Sequence, residues 1–142
     1  MSSQPSSRRV LAIDPGREKS GLAVVDARDG CLHREIVPTP DLVPRAAEIA
    51  GEYEPGALVV GDRTGGRLAL DELRAALALP VEPVDEHRST EEARQLYLDT
   101  VPPRGLARLI PRGLRTPPGP IDDYAAWVLG RRYLGRQGDT SL

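Results

Sequence analysis

Four carboxylates stand at positions that one fold could gather: Asp14, Asp62, Glu86 and Asp122. Three of them close short apolar runs. Asp14 follows Val10-Leu11-Ala12-Ile13, Asp62 follows Ala57-Leu58-Val59-Val60-Gly61, and Glu86 ends the run that begins at Val81. An acid at the end of a buried strand is costly to desolvate unless a cation meets it. Several carboxylates with no cysteine or histidine ligand beside them form a hard, oxygen-rich donor set, suited to Mg²⁺ or Mn²⁺ rather than zinc. Two such ions can activate a water and stabilise the leaving oxygen of a phosphodiester. Each acid also has a local alternative. Asp14 can cap its own turn, Asp62 can serve the loop behind its strand, Asp85 or Glu86 can precede a helix cap, and Asp122 can lend its charge to a helix N-terminus.

The elements that must position these acids are legible from pattern. Val10 to Asp14 and Gly21 to Asp26 read as two strands of a hairpin, turned by Pro15-Gly16, with Gly21 letting the returning backbone pass close to Asp14. Cys31 to Pro38 alternates as a third strand. Asp41 to Tyr53 presents Leu42, Val43, Ala46, Ala47, Ile49 and Ala50 as a helix face, ended by Pro55-Gly56. Ala57 to Gly61 is wholly apolar, as a buried parallel strand should be. Leu70, Leu73 and Leu77 mark a helix that stops before Pro80. Val81 to Glu86 is a last strand, placed at a sheet edge by Pro83. Ser89 and Glu92 read as a capping box opening a helix to about Leu98. Val101 to Pro120 is a proline-rich loop, and Ile121 to Leu134 is the final helix. The order defines an α/β fold, a five-stranded mixed sheet flanked by helices, with the first, fourth and fifth strands parallel. Asp14, Asp62 and Glu86 then share the carboxyl edge of the sheet, where open α/β sheets bind ligands. Asp122 joins them from the start of the last helix. Its neighbour Asp123 points about 100° away and cannot face the same ion.

A chain of 142 residues makes one such domain. The reading divides it into an N-terminal arm (1–8), a folded domain (9–135) and a C-terminal tail (136–142). No run of eighteen apolar residues is present, so no membrane partner is expected. The arm lacks an apolar core of the signal-peptide type, and the lone Cys31 has no internal partner, which fits a reducing cytoplasm. Net charge is −2, yet the cations are unevenly placed. Arg104, Arg108, Arg112 and Arg115 fall in a stretch, Val101 to Gly119, that holds no acid. Arginine grips phosphate with a bidentate fork, so this loop is a candidate track for a nucleic-acid backbone, against the default of solvated surface charge.

Three motifs carry a family resemblance. Ala12-Ile13-Asp14-Pro15-Gly16 with Gly21-Leu22-Ala23-Val24, then Val84-Asp85-Glu86-His87-Arg88-Ser89-Thr90-Glu91-Glu92-Ala93-Arg94, then Ile121-Asp122-Asp123-Tyr124-Ala125-Ala126, resemble the YqgF family. These are RuvC-like proteins described as Holliday junction resolvases and pre-16S rRNA nucleases. The middle motif is the specific one; the first is shared with sugar kinases and actin-like ATPases, which need two such domains. The resemblance implies a ribonuclease H-like fold and a divalent-metal nuclease site, with Asp14, Glu86 and Asp122 as the metal-binding and catalytic carboxylates. Asp62 lies near the place where RuvC resolvases carry a metal-binding glutamate, which makes it a fourth catalytic candidate. Two departures stand out. His87 occupies the position after the motif glutamate where the family often has arginine, and Arg88 comes one residue later. The family's Gly-Leu-Pro after the fourth strand is replaced by Gly61-Asp62-Arg63-Thr64-Gly65-Gly66.

Two more residues join the nucleic-acid contacts. His87 could carry a proton or touch a phosphate, since imidazole titrates near neutrality. Arg88 sits at a helix N-terminus, which itself attracts anions. The resulting expectation is a cytoplasmic, Mg²⁺- or Mn²⁺-dependent nuclease acting on structured nucleic acid. RNA is the favoured substrate and branched DNA the alternative, with an inert nucleic-acid-binding protein as the rival class. No dimer signature is visible, so monomer and homodimer both stand.

Overall fold

The apolar runs pair as one sheet. β1 (Ser6–Asp14) and β2 (Lys19–Asp26) are antiparallel, with Asp14 opposite Gly21, and β3 (Gly30–Pro38) continues the meander along β2. A 3-10 turn (Thr39–Asp41) leads into α1 (Leu42–Tyr53). β4 (Pro55–Gly61) returns parallel to β1, α2 (Gly66–Ala76) follows, and β5 (Val81–Val84) pairs parallel with β4. α3 (Ser89–Thr100) and α4 (Asp122–Thr140) complete the order. The strands lie as β3-β2-β1-β4-β5, so the proline-bearing β5 is an edge. This computed structural model describes residues 6–62, 66–103, 105–115, 117 and 119–140.

Strand alternation separates two cores. On one face Leu11, Ile13, Leu22, Val24, Leu58 and Val60 pack against Leu42, Ala46 and Ile49 of α1 and Leu73 of α2. On the other face Val10, Ala12, Ala23, Val25, Val59 and Val84 pack against Ala126 and Leu129 of α4. α3 is held to α4 through Ala93, Leu96, Tyr124, Ala125 and Val128. The result is a three-layer α/β fold of the ribonuclease H-like kind. Asp14, Gly21 and Gly61 follow the alternation onto the α4 face, at the end where β1 and β4 finish.

Several boundaries differ from the sequence expectation. β1 starts at Ser6, opposite Pro55, so part of the expected arm is sheet; residues 1–5 lie outside the described residues. Pro55-Gly56 opens β4 rather than ending α1, and the reversal falls on Glu54, whose φ of 49° is left-handed. α4 runs past Leu134 to Thr140, into the expected tail, since no proline stops it. Within the proline-rich loop the chain winds into 3-10 turns at Gly105–Leu109 and Arg112–Leu114. The expected capping box does not form. Ser89 is buried inside α3 behind an N-cap at Arg88, and the Glu92 side chain ion-pairs with Arg132 at 2.6 Å instead.

Candidate active site

The turn after Asp14 is closed by a ring of hydrogen bonds. The Gly16 N–H donates to Ser20 Oγ (3.2 Å), and Thr39 Oγ1 donates to the Gly16 carbonyl (2.8 Å). Thr39 has one hydroxyl proton and uses it on Gly16, so Ser20 is the donor in the 2.9 Å bond between the two hydroxyls. Ser20 is wholly buried. The ring fixes the path of the chain from β1 to β2, and with it the end of β1 that carries Asp14.

Two glycines flank Asp14 and bring the other acids to it. Gly21 pairs directly with Asp14, and a Cβ placed there would stand 1.9 Å from the Asp122 carbonyl oxygen. On the other side of β1, Val60 pairs with Ile13, and Gly61 comes next. A Cβ on Gly61 would stand 2.3 Å from Glu86 Cδ and Oε1. The spaces left by two missing methyl groups are thus filled by the first residue of α4 and by the Glu86 carboxyl group. The Asp122 backbone lies against β2 opposite Asp14, and the Glu86 carboxyl lies against β4 on the other side of β1.

Asp62 is exposed, and its Oδ1 accepts from the Glu86 backbone N–H at 3.3 Å while its own N–H donates to the Val84 carbonyl at 3.1 Å. It therefore holds the chain on both sides of Asp85 as it leaves β5. Glu86 is 2% exposed, and its carbonyl accepts from the Ser89 N–H at 2.9 Å, starting α3 directly behind it.

The Asp122 carboxyl is half-buried, and burial pushes its pKa above the ordinary aspartate value. Lys19, at the start of β2, pulls it back down, and the charge of Asp123 adds to the rise. Asp123 itself is engaged elsewhere. Arg34 of β3 approaches it at 3.4 Å, donates to Tyr124 Oη at 3.0 Å, and lies 4.3 Å from the centre of the Tyr124 ring. Arg34 thus fastens the first turn of α4 to the sheet and leaves Asp122 as the acid facing Gly21. Nothing in the sequence singled out Arg34, Ser20 or Thr39. Their partners are set by strand pairing and helix docking, and only Gly21 was visible as a close-approach position.

The basic candidates divide. His87 and Arg88 are exposed beside Glu86, with the His87 N–H turned onto Asp85 Oδ1 at 2.9 Å. Arg104 lies outside the described residues. Arg108 is exposed in its 3-10 turn. Arg112 reaches back to Asp99 and to the Gln95 side chain at 3.2 Å, and Arg115 Nε donates to the Ile110 carbonyl at 2.8 Å. The loop has an organiser that the sequence did not reveal. Arg94 Nη2 donates to the carbonyls of Arg112, Gly113 and Arg115 at 3.3, 2.9 and 2.7 Å.

Among the described residues, no three acid, imidazole or thiol side chains are grouped so as to hold a metal ion between them. An open corner of carboxylate oxygens suits Mg²⁺ or Mn²⁺ nonetheless, because such ions take one or two protein carboxylates and complete their shell with water and substrate phosphate. The Glu86 carboxyl that Gly61 admits is an oxygen donor of the kind such ions take.

No family model matches the chain. Two relatives, both named "Putative pre-16S rRNA nuclease", match along nearly its whole length. That of Anaeromyxobacter dehalogenans is 36% identical, covering 91% of this chain and 98% of its own, and that of Chlorobium phaeobacteroides is 29% identical, covering 93% and 95%. Among solved structures, Thermus thermophilus RuvC superposes with a TM-score of 0.60 at 20% identity, over 92% of this chain and 96% of that one. The fold is thus RuvC-like. The chain belongs to the YqgF family, whose relatives carry the pre-16S rRNA nuclease name.

Proposed function

We propose that this protein is a divalent-metal-dependent nuclease that hydrolyses phosphodiester bonds of structured RNA, acting in the cytoplasm on precursors of the pre-16S rRNA type. The observation that carries the reading is the pair of glycines flanking Asp14, one admitting the Asp122 backbone and the other the Glu86 carboxyl. A carboxyl buried in a glycine notch one strand from Asp14 is costly to desolvate unless a cation meets it. The whole-length match to relatives of that name supports the choice of RNA.

Asp14, Glu86 and Asp122 are the residues that would hold Mg²⁺ or Mn²⁺. When bound, the ion lowers the pKa of a water and offsets charge on the leaving oxygen. Asp62 sets the backbone at Glu86, so that the buried carboxylate stays at the corner. Arg88 and His87, exposed next to Glu86, are placed to meet the phosphate, and Arg108 with the other loop arginines, to follow the strand. A surface built from strand ends with few aromatics reads backbone shape more than base identity.

A cleavage panel tests this: structured RNA, single-stranded DNA and a four-way junction, each with Mn²⁺ and with chelator. RNA is cut in Mn²⁺ and spared in chelator. Asp14→Asn loses at least about a hundredfold (~2.7 kcal/mol). Asp62→Asn keeps an amide oxygen for the Glu86 N–H, so its loss stays within about tenfold (~1.4 kcal/mol). Symmetrical cutting of the junction by a stable dimer, with RNA untouched, would replace RNA processing by junction resolution.

A further inference from the structure

β5 ends beside a groove that runs on from the residues flanking Glu86. Asp85 and His87, the two neighbours of buried Glu86, line a hollow of about 570 Å³ together with Arg88, Arg132 and Arg136, and Glu92 closes one wall. Arg132 is its fixed element. Its Nη1 donates to the Asp85 carbonyl at 2.9 Å and its Nη2 to Glu92 at 2.6 Å, which neutralises Glu92 and orients the guanidinium. Arg136, one turn further along α4, lies 6.0 Å from the Tyr133 ring centre.

Arg88 adds a second, independent observation. Its φ of 58° is left-handed, a conformation that costs a non-glycine residue about 1 kcal/mol or more and that glycine would adopt without strain. At this strained position the chain carries a long cationic side chain, exposed on the groove wall. Charge sets the direction of the path. The adjoining hollow over α3 sets Glu91, Glu92 and Asp99 against Arg88 and Arg131, and offers a phosphate chain the less basic wall. The surface along α4 carries Arg132 and Arg136 and, from Tyr124 to Gly138, no acid.

We propose that this groove is a second backbone subsite: a nucleic-acid strand leaving the carboxylate corner passes Arg88 and lays its phosphates along α4 against Arg132 and Arg136. The subsite rests on the nuclease reading, which supplies the strand at the corner. It binds by backbone charge, so it weakens with salt and tolerates any base sequence.

The test is binding of a fluorescent RNA oligonucleotide in chelator, across a salt series, by Arg88→Gly, Arg136→Ala and the double variant. Arg28→Ala, exposed in the turn between β2 and β3, is the control. Each groove variant is expected to weaken binding about three- to tenfold. The double variant should flatten the salt slope by about 1.4, two single-strand phosphate contacts at ~0.7 each. Arg88→Gly keeps or gains melting temperature, because it relieves the left-handed strain, and Arg88→Lys recovers most of the affinity. Wild-type affinity and slope in the double variant would overturn the subsite while Asp14-dependent cleavage of RNA still stood. An equal loss in Arg28→Ala would overturn it too, by showing only diffuse charge. RNA cleavage that survives Asp14→Asn would instead remove the nuclease reading, with the groove's binding still measured.

Discussion

Asp122 sits half-buried at the first position of α4, where burial and Asp123 disfavour its charge and Lys19 favours it, with burial dominant. A carboxyl whose pKa is raised by folding stabilises the fold while protonated, and that contribution is lost as pH rises through the folded value. Asp122→Asn should therefore raise the melting temperature at pH 7 in chelator, while cleavage disappears. The gain should shrink as pH falls below the ordinary aspartate value of about 3.9, where wild type is neutral there as well. Melting curves of both proteins from pH 3 to 7 check this, and a variant less stable at every pH contradicts it. Asp14 and Glu86 were conspicuous in the sequence as acids closing apolar runs and Asp122 as an acid opening a helix, while their roles as ligands rest on the family resemblance. Asp62 was readable as a candidate, but its bond to the Glu86 backbone was not, since that depends on β4 and β5 being neighbours.

Elements place the acids through the two glycine contacts, and the contacts differ in kind. At Gly21 an added methyl meets the Asp122 backbone, which cannot rotate away. Gly21→Ala should push the start of α4 off the sheet, with a loss of about 1–3 kcal/mol and of cleavage together. At Gly61 it meets the Glu86 side chain. Gly61→Ala should cost less stability and still remove cleavage, as the carboxylate is displaced. Thermal melts paired with single-turnover rates separate the two cases. Arg94→Ala should free the segment it holds at 112–115, giving faster proteolysis between Val101 and Pro120 with the core melt nearly unchanged. All five strands and four helices could be anticipated, because period-two and helical apolar patterns are local. Helix capping at Ser89 and the end of α4 were misjudged, because Glu92 is claimed by Arg132 from a distant helix and no breaker marks the end of α4.

Across the molecule, acid stability is set far from the candidate site. Two arginine nitrogens of Arg45 hold Glu35 at 2.8 and 2.7 Å, and together with His33 they lower its pKa despite partial burial. Burial raises that of Asp26, but the backbone N–H groups of Arg28 and Asp29 and the Arg9 guanidinium outweigh it, and the net shift is downward. Carboxyls with lowered folded values contribute stability above their ordinary pKa and lose it as pH falls. The domain is thus expected to lose melting temperature below about pH 4, and Glu35→Gln to lose less over that interval than wild type. Equal slopes for the two proteins would place the acid sensitivity elsewhere. Neither ion pair was foreseen; Arg9 meets Asp26 through β1–β2 pairing and Arg45 meets Glu35 through the docking of α1 on β3.

The Asp122 carbonyl seated over Gly21 has a consequence for when the corner exists at all. Translation delivers Asp14 early and α4 after every strand, so a nascent chain can pair its whole sheet while the notch beside Asp14 still waits for its plug. On the proposed reading, the site is completed only at a late step of synthesis, when α4 docks on the sheet.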